Sequence, residues 1–190
     1  MPAIFIPFAL WYTVIILICE EHAMKRHLFL TGSKHIGKST VIDKMLAMRP
    51  CTTGGFRTVR TDTVFPPRFS VHMLRPGERP TADNLLFICR VPSEDTIARF
   101  DALGCAALAQ SDHARLLLMD ELGPAEANAF AFQRAVLSAL EGEIPVLGVL
   151  QQADSPFLQR IAARDDVTVA GVTRENRDRL PQLLLEQFHF

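Results

Sequence analysis

The segment Gly32-Ser33-Lys34-His35-Ile36-Gly37-Lys38-Ser39 defines a chemistry through its residue types and spacing. It reads G-x-x-x-x-G-K-[ST], the spacing of a loop that wraps a phosphate chain. Gly32 allows a sharp exit from a strand, and Gly37 lets backbone N–H groups approach phosphate oxygens closely. A helix starting near Lys38 aims unpaired N–H groups and its positive dipole end at the same anion. Lys38 is then expected to reach the β- and γ-phosphates and the Ser39 hydroxyl to ligate Mg²⁺, with Thr40 in the same first turn. Ser33, Lys34, His35 and Ile36 fill the loop, and for His35 only the backbone amide need matter.

A second segment, Leu116-Leu117-Leu118-Met119-Asp120-Glu121, carries two adjacent acids at the end of an apolar run. Asp120 is expected to contact Mg²⁺ through its water, as an acid on a neighbouring strand does in phosphate-loop proteins. Glu121 can accept a proton from an attacking water, which phosphoryl transfer to water requires. The plainer alternative makes Glu121 a cap on the turn before Gly123-Pro124. Gln151 or Gln152, after another apolar run, could touch the terminal phosphate or orient water; either is equally an ordinary loop amide. Arg174 could pair with phosphate or stack on a base, or form a surface ion pair with Glu175 or Asp178.

Those groups need elements to hold them at one edge. After Met24 short apolar runs alternate with longer amphipathic ones, the pattern of an α/β domain with a mainly parallel sheet. Strands are predicted over 27–30, 116–119, 146–150 and 167–172, and helices over 38–48, 101–110, 126–140, 156–163 and 175–188. The runs 56–59, 69–73 and 85–89, separated by Pro66-Pro67 and Pro76-Gly77, predict an antiparallel insertion on one edge.

Composition sets the outer bounds. The 190 residues suit one domain, and 48% apolar with 22% charged residues is globular. A net charge of −1 supplies no global field for nucleic acid, so no nucleic-acid partner is expected. Four widely spaced cysteines without a C-x-x-C pair argue against a disulfide scaffold or zinc site. They fit a reducing compartment, so a cytoplasmic location is expected. Residues 1–23 are apolar between Ala3 and Cys19 and precede the first lysine, Lys25. The run is short for a spanning helix and lacks the positive start of a signal peptide. It is read as a start-site artefact or unstructured extension, with a membrane anchor or processed signal as alternatives; residues 24–190 form the domain.

Taken together these motifs resemble the cancer-related nucleoside-triphosphatases, a small family of P-loop enzymes. The resemblance rests on the phosphate loop, Gly55-Phe56-Arg57-Thr58, Asp120-Glu121-Leu122-Gly123 with Glu126, Pro145-Val146-Leu147-Gly148, and Val172-Thr173-Arg174-Glu175-Asn176-Arg177-Asp178. It implies a RecA- or AAA-like core and Mg²⁺-dependent hydrolysis of nucleoside triphosphates to diphosphate and phosphate, with loose base preference. The chain departs from the family pattern at His35, where glycine is usual, at Ser39, where threonine is, and near Arg60, where an acid is typical. A small-molecule kinase and an NTP-driven switch for a protein partner remain alternatives; Asp120-Glu121 favours water as acceptor.

Overall fold

The computed structural model describes residues 25–111 and 113–190; the expectations for the apolar start of the chain lie outside them. Seven strands form one sheet: β1 (His27–Thr31), β2 (Thr53–Thr61), β3 (Ser70–Leu74), β4 (Leu85–Ile88), β5 (Leu116–Leu122), β6 (Val146–Leu150) and β7 (Val167–Gly171). Their order is β4-β3-β2-β5-β6-β1-β7. From β2 to β7 all pairings are parallel, while β2–β3 and β3–β4 are antiparallel. The antiparallel strands close one edge, as the proline-separated apolar runs predict.

Each parallel strand is apolar on both faces because helices cover both. Leu28 and Leu30 of β1, with Leu116 and Leu118 of β5, pack under α1 (Lys38–Met48) and α5 (Leu180–Gln187). Phe29, Leu117 and Met119 point to the other side, into a layer built by α2 (Thr96–Ala109), α3 (Phe130–Glu141) and α4 (Pro156–Ala162). Side chains buried this fully contribute about 1.5–3 kcal/mol each, so two continuous layers fix which strand faces lie inward. Register follows, and register decides which residues leave the sheet at its functional edge.

Three helices differ from the pattern-based limits; α2, predicted over 101–110, already starts at Thr96. The segment predicted as a helix from residue 126 begins as a 3-10 turn, Pro124–Glu126, and α3 starts only at Phe130. The final helix, predicted from residue 175, starts at Leu180. Asn176 is the physical reason: its side chain accepts from Thr173 N–H at 2.8 Å and donates to Gly171 O at 2.8 Å. A side chain that bonds the backbone this way competes with the helix. Pro181 in the first turn of α5 then suits a helix start.

Candidate active site

The loop between β1 and α1 is built around two glycines. A Cβ on Gly32 would lie 2.6 Å from Val172 O, so only glycine lets the exit of β1 pass beside the exit of β7. Gly37 has φ +108° and precedes α1 with no side-chain cap. No acidic residue stands in the first turn of α1, so nothing in that turn neutralises the positive helix end. His35 also adopts positive φ, 62°. That is the left-handed conformation glycine tolerates best, which gives the family's usual glycine at this position a backbone reason.

Lys38 is nearly buried and folds over its own loop. Its Nζ donates to Gly32 O at 3.0 Å and to Ser33 O at 3.1 Å, and lies 4.0 Å from Glu121 Oε1. Both opposed charges therefore face one spot above the loop. Ser39 Oγ donates to Asp120 Oδ1 at 3.2 Å, tying the first turn of α1 to β5.

Asp120 is only 4% exposed. Burial pushes its carboxyl up to about 6, against the pull of Arg57 and of the Ser39 hydrogen bond; Glu121 and Asp43 push it further up. Arg57 stands opposite Asp120 in the β2–β5 register and pairs with Asp43 of α1 at 2.5 Å. A buried carboxylate next to a hydroxyl is a hard-oxygen donor pair with charge still to be balanced, which fits a divalent cation. Among the described residues no cluster of three His, Cys, Asp or Glu side chains could hold a metal. The protein's own share of such a shell at Ser39 and Asp120 is thus two oxygens, leaving the remainder to phosphate and water.

The turn after β5 is locked separately. Glu126 Oε1 accepts from Gly123 N–H at 2.5 Å, and Gln133 Nε2 donates to the Glu126 and Ala127 carbonyls at 2.9 and 2.8 Å. Burial pushes the Glu126 carboxyl up to about 7, opposed by the Gly123 hydrogen bond. Gln151 N–H donates to Leu122 O at 2.8 Å, and a Cβ on Gly123 would lie 2.7 Å from Gln151 Cδ. Of the two glutamines, Gln151 therefore packs against the acidic turn, while Gln152 is exposed.

Lys38, Ser39, Asp120 and Glu121 come together as the motifs predict. Arg174 is exposed at the start of the turn after β7; the side chain of that turn near Gly37 is Arg177, whose Cδ would lie 3.9 Å from a Cβ there. Site reasoning from the sequence passed over Arg57, Glu126 and Arg177. All three lie within motifs quoted for the family likeness, the one signal that points to them. Two concavities of about 420 and 280 Å³ share Thr53, Gly54, Arg75, Pro76 and Glu78, where β2 begins. The start of β2 is the end of the sheet opposite the phosphate loop, although the smaller concavity also reaches Arg57.

A phosphate loop at the end of β1 with an acidic strand end two places away is the layout of α/β P-loop nucleotide hydrolases. A family model described as NTPase matches residues 27–185, and the chain belongs to that family. The nucleoside-triphosphatase THEP1 of Methanosarcina acetivorans is 31% identical over 172 residues, 84% of this chain and 94% of that protein. The one from Natranaerobius thermophilus is 29% identical over 171 residues, 85% of this chain and 95% of its own length. The fold is shared with the crystal structure of THEP1 from Aquifex aeolicus (TM-score 0.69, 18% identity, covering 86% of this chain and 99% of that one). It is also shared with the solution structure of a human cancer-related nucleoside triphosphatase (TM-score 0.57, 24% identity, 85% and 96% covered). The protein is a nucleoside-triphosphatase. Among the described residues no helix is long and apolar enough to cross a membrane.

Proposed function

We propose that the edge formed by Gly32–Thr40, Asp120 and Glu121 hydrolyses nucleoside triphosphates, ATP and GTP included, to diphosphate and phosphate in a Mg²⁺-dependent reaction. One observation carries the assignment of roles: the Lys38 ammonium and the Glu121 carboxylate lie 4.0 Å apart above the loop. A terminal phosphoryl group held by the loop's N–H groups has the ammonium on its oxygens and the carboxylate beside it. Glu121 takes a proton from water as the water oxygen bonds to the terminal phosphorus and the bond to the bridging oxygen breaks. The diphosphate leaves with that oxygen. Lys38 stabilises the charge spread over the phosphoryl oxygens. Ser39 and Asp120 would hold the Mg²⁺, which when bound neutralises charge on the phosphate oxygens. Gln151, packed against Gly123, is suited to orient the water, and Arg174 to meet nucleotide at the far wall.

Two variants test the reading. Lys38→Ala should lose roughly 10²–10³ in turnover, the scale for one preorganised electrostatic contact, while remaining folded by circular dichroism. Glu121→Gln should lower turnover by about 10²–10⁴ with Mg·NTP affinity nearly unchanged. Near-native phosphate release by folded Lys38→Ala would remove the loop from the mechanism. A Glu121→Gln protein that kept its rate per bound nucleotide would restore the capping role.

A further inference from the structure

The turn after β7 is braced internally and tied to β1 and α1, the elements that flank the phosphate loop. Val172 N–H donates to Thr31 O at 2.7 Å, and Asn176 bonds both Thr173 and Gly171. From α1, Lys44 reaches across to Asp178 at 2.9 Å. These bonds leave Arg177 beside the loop, its Cδ 3.9 Å from where a Cβ on Gly37, the glycine before α1, would stand. Arg177 is exposed, and the neighbouring acid, Asp178, is engaged by Lys44. Among the described residues the Arg177 guanidinium is in no ion pair.

We infer that Arg177 binds the part of the nucleotide that is not transferred, its guanidinium pairing with a phosphate oxygen of the leaving diphosphate. The inference rests on reading Gly32–Ser39 as the phosphate loop. Sheet order supplies the direction. Glu121 ends β5 on one side of β1, and Arg177 follows β7 on the other, in the order β5-β6-β1-β7. Neighbouring strands lie about 4.8 Å apart, so the two walls are roughly three strand spacings from each other. The reacting phosphoryl group must sit at the Lys38–Glu121 pair. The rest of the substrate can extend from it toward β7, over Gly37. Arginine suits that wall, because its planar fork matches two phosphate oxygens and its charge is permanent.

A contact with a phosphate oxygen remote from the bond that breaks is held alike in substrate, transition state and diphosphate product. Its loss therefore appears in binding and not in the chemical step. Steady-state phosphate release with Mg·ATP and direct titration with ADP, on Arg177→Ala and Arg177→Lys, test this. The expected result for Arg177→Ala is a rise of about tenfold in both the KM for ATP and the Kd for ADP, as for a lost charged hydrogen bond, with kcat within about twofold. Arg177→Lys should recover part of both losses. Arg179→Ala, which removes another exposed charge of the same turn, should leave all three constants unchanged. Unchanged KM and ADP affinity in Arg177→Ala would overturn the inference. So would a fall in kcat at constant KM, which would place the contact on the transferred phosphoryl group, or an equal shift in Arg179→Ala, which would reduce the effect to general charge. If Lys38→Ala abolishes turnover while Arg177→Ala changes nothing, the loop reading stands and this one alone falls; full turnover in Lys38→Ala takes both away.

Discussion

At the turn after β5, two glutamates five residues apart stand in different surroundings. The Glu121 side chain is 33% exposed and faces Lys38, whereas Glu126 is 3% exposed and accepts from Gly123 N–H. Burial holds the Glu126 carboxyl at about 7, above its ordinary 4.5. Above pH 7 the group is ionised folded and unfolded, and the full cost of burying the charge is present. Between pH 7 and 4.5 the folded protein holds a proton that the unfolded chain has released, so stability rises as pH falls through this window. Glutamine keeps the acceptor for Gly123 and has no charge to bury. Glu126→Gln should therefore raise Tm by several degrees at pH 8, for a relief of at most about 3 kcal/mol, with little change at pH 5. Paired thermal melts at the two pH values check it; a gain equal at both would mean that charge burial is not the cause.

At the scale of elements, the loop between β1 and α1 carries one residue whose backbone the sequence motif does not require. His35 sits at φ 62° with an exposed side chain. A non-glycine residue there is held at a cost of order 1–3 kcal/mol by the surrounding loop. Glycine removes that strain but adds freedom to the unfolded chain, so His35→Gly should leave Tm within a few degrees. A β-branched His35→Val should instead lower both Tm and turnover, because the loop must shift to accommodate it. Melting curves with phosphate-release rates decide it, and full activity in His35→Val would show that the loop geometry tolerates change. The same loop also marks what local pattern can reveal. Lys38, Ser39, Asp120 and Glu121 were legible because each is fixed by its distance from a strand end or helix start. Arg57 reaches Asp120 only through the β2–β5 register, and Arg177 reaches Gly37 only because Asn176 delays α5 to Leu180. Both depend on contacts between segments far apart in the chain, which no periodicity encodes.

For the whole molecule, the parallel strands open toward one edge, and every group assigned to catalysis follows Gly32. The opposite edge is closed from His27 onward. His27 N–H donates to Asp166 O at 3.0 Å, and its fully buried ring lies 3.1 Å from Leu140 O and accepts from Val146 N–H at 3.2 Å. Burial lowers the pKa of that imidazole, which favours the neutral ring that a bridge of one donor and one acceptor needs. The first strand is thus anchored through its own first residue, and the family match also begins there, at residue 27. We therefore expect residues 24–190 to fold and work as a unit. A protein beginning at Met24 should elute as a soluble species by gel filtration and retain kcat and KM for Mg·ATP within about twofold of the full chain. Loss of activity or aggregation on removing residues 1–23 would give that apolar run a part in the folded domain. A full-length chain recovered only with membranes, beside a soluble and active shortened one, would make the run an anchor and leave the catalytic unit where the sheet puts it.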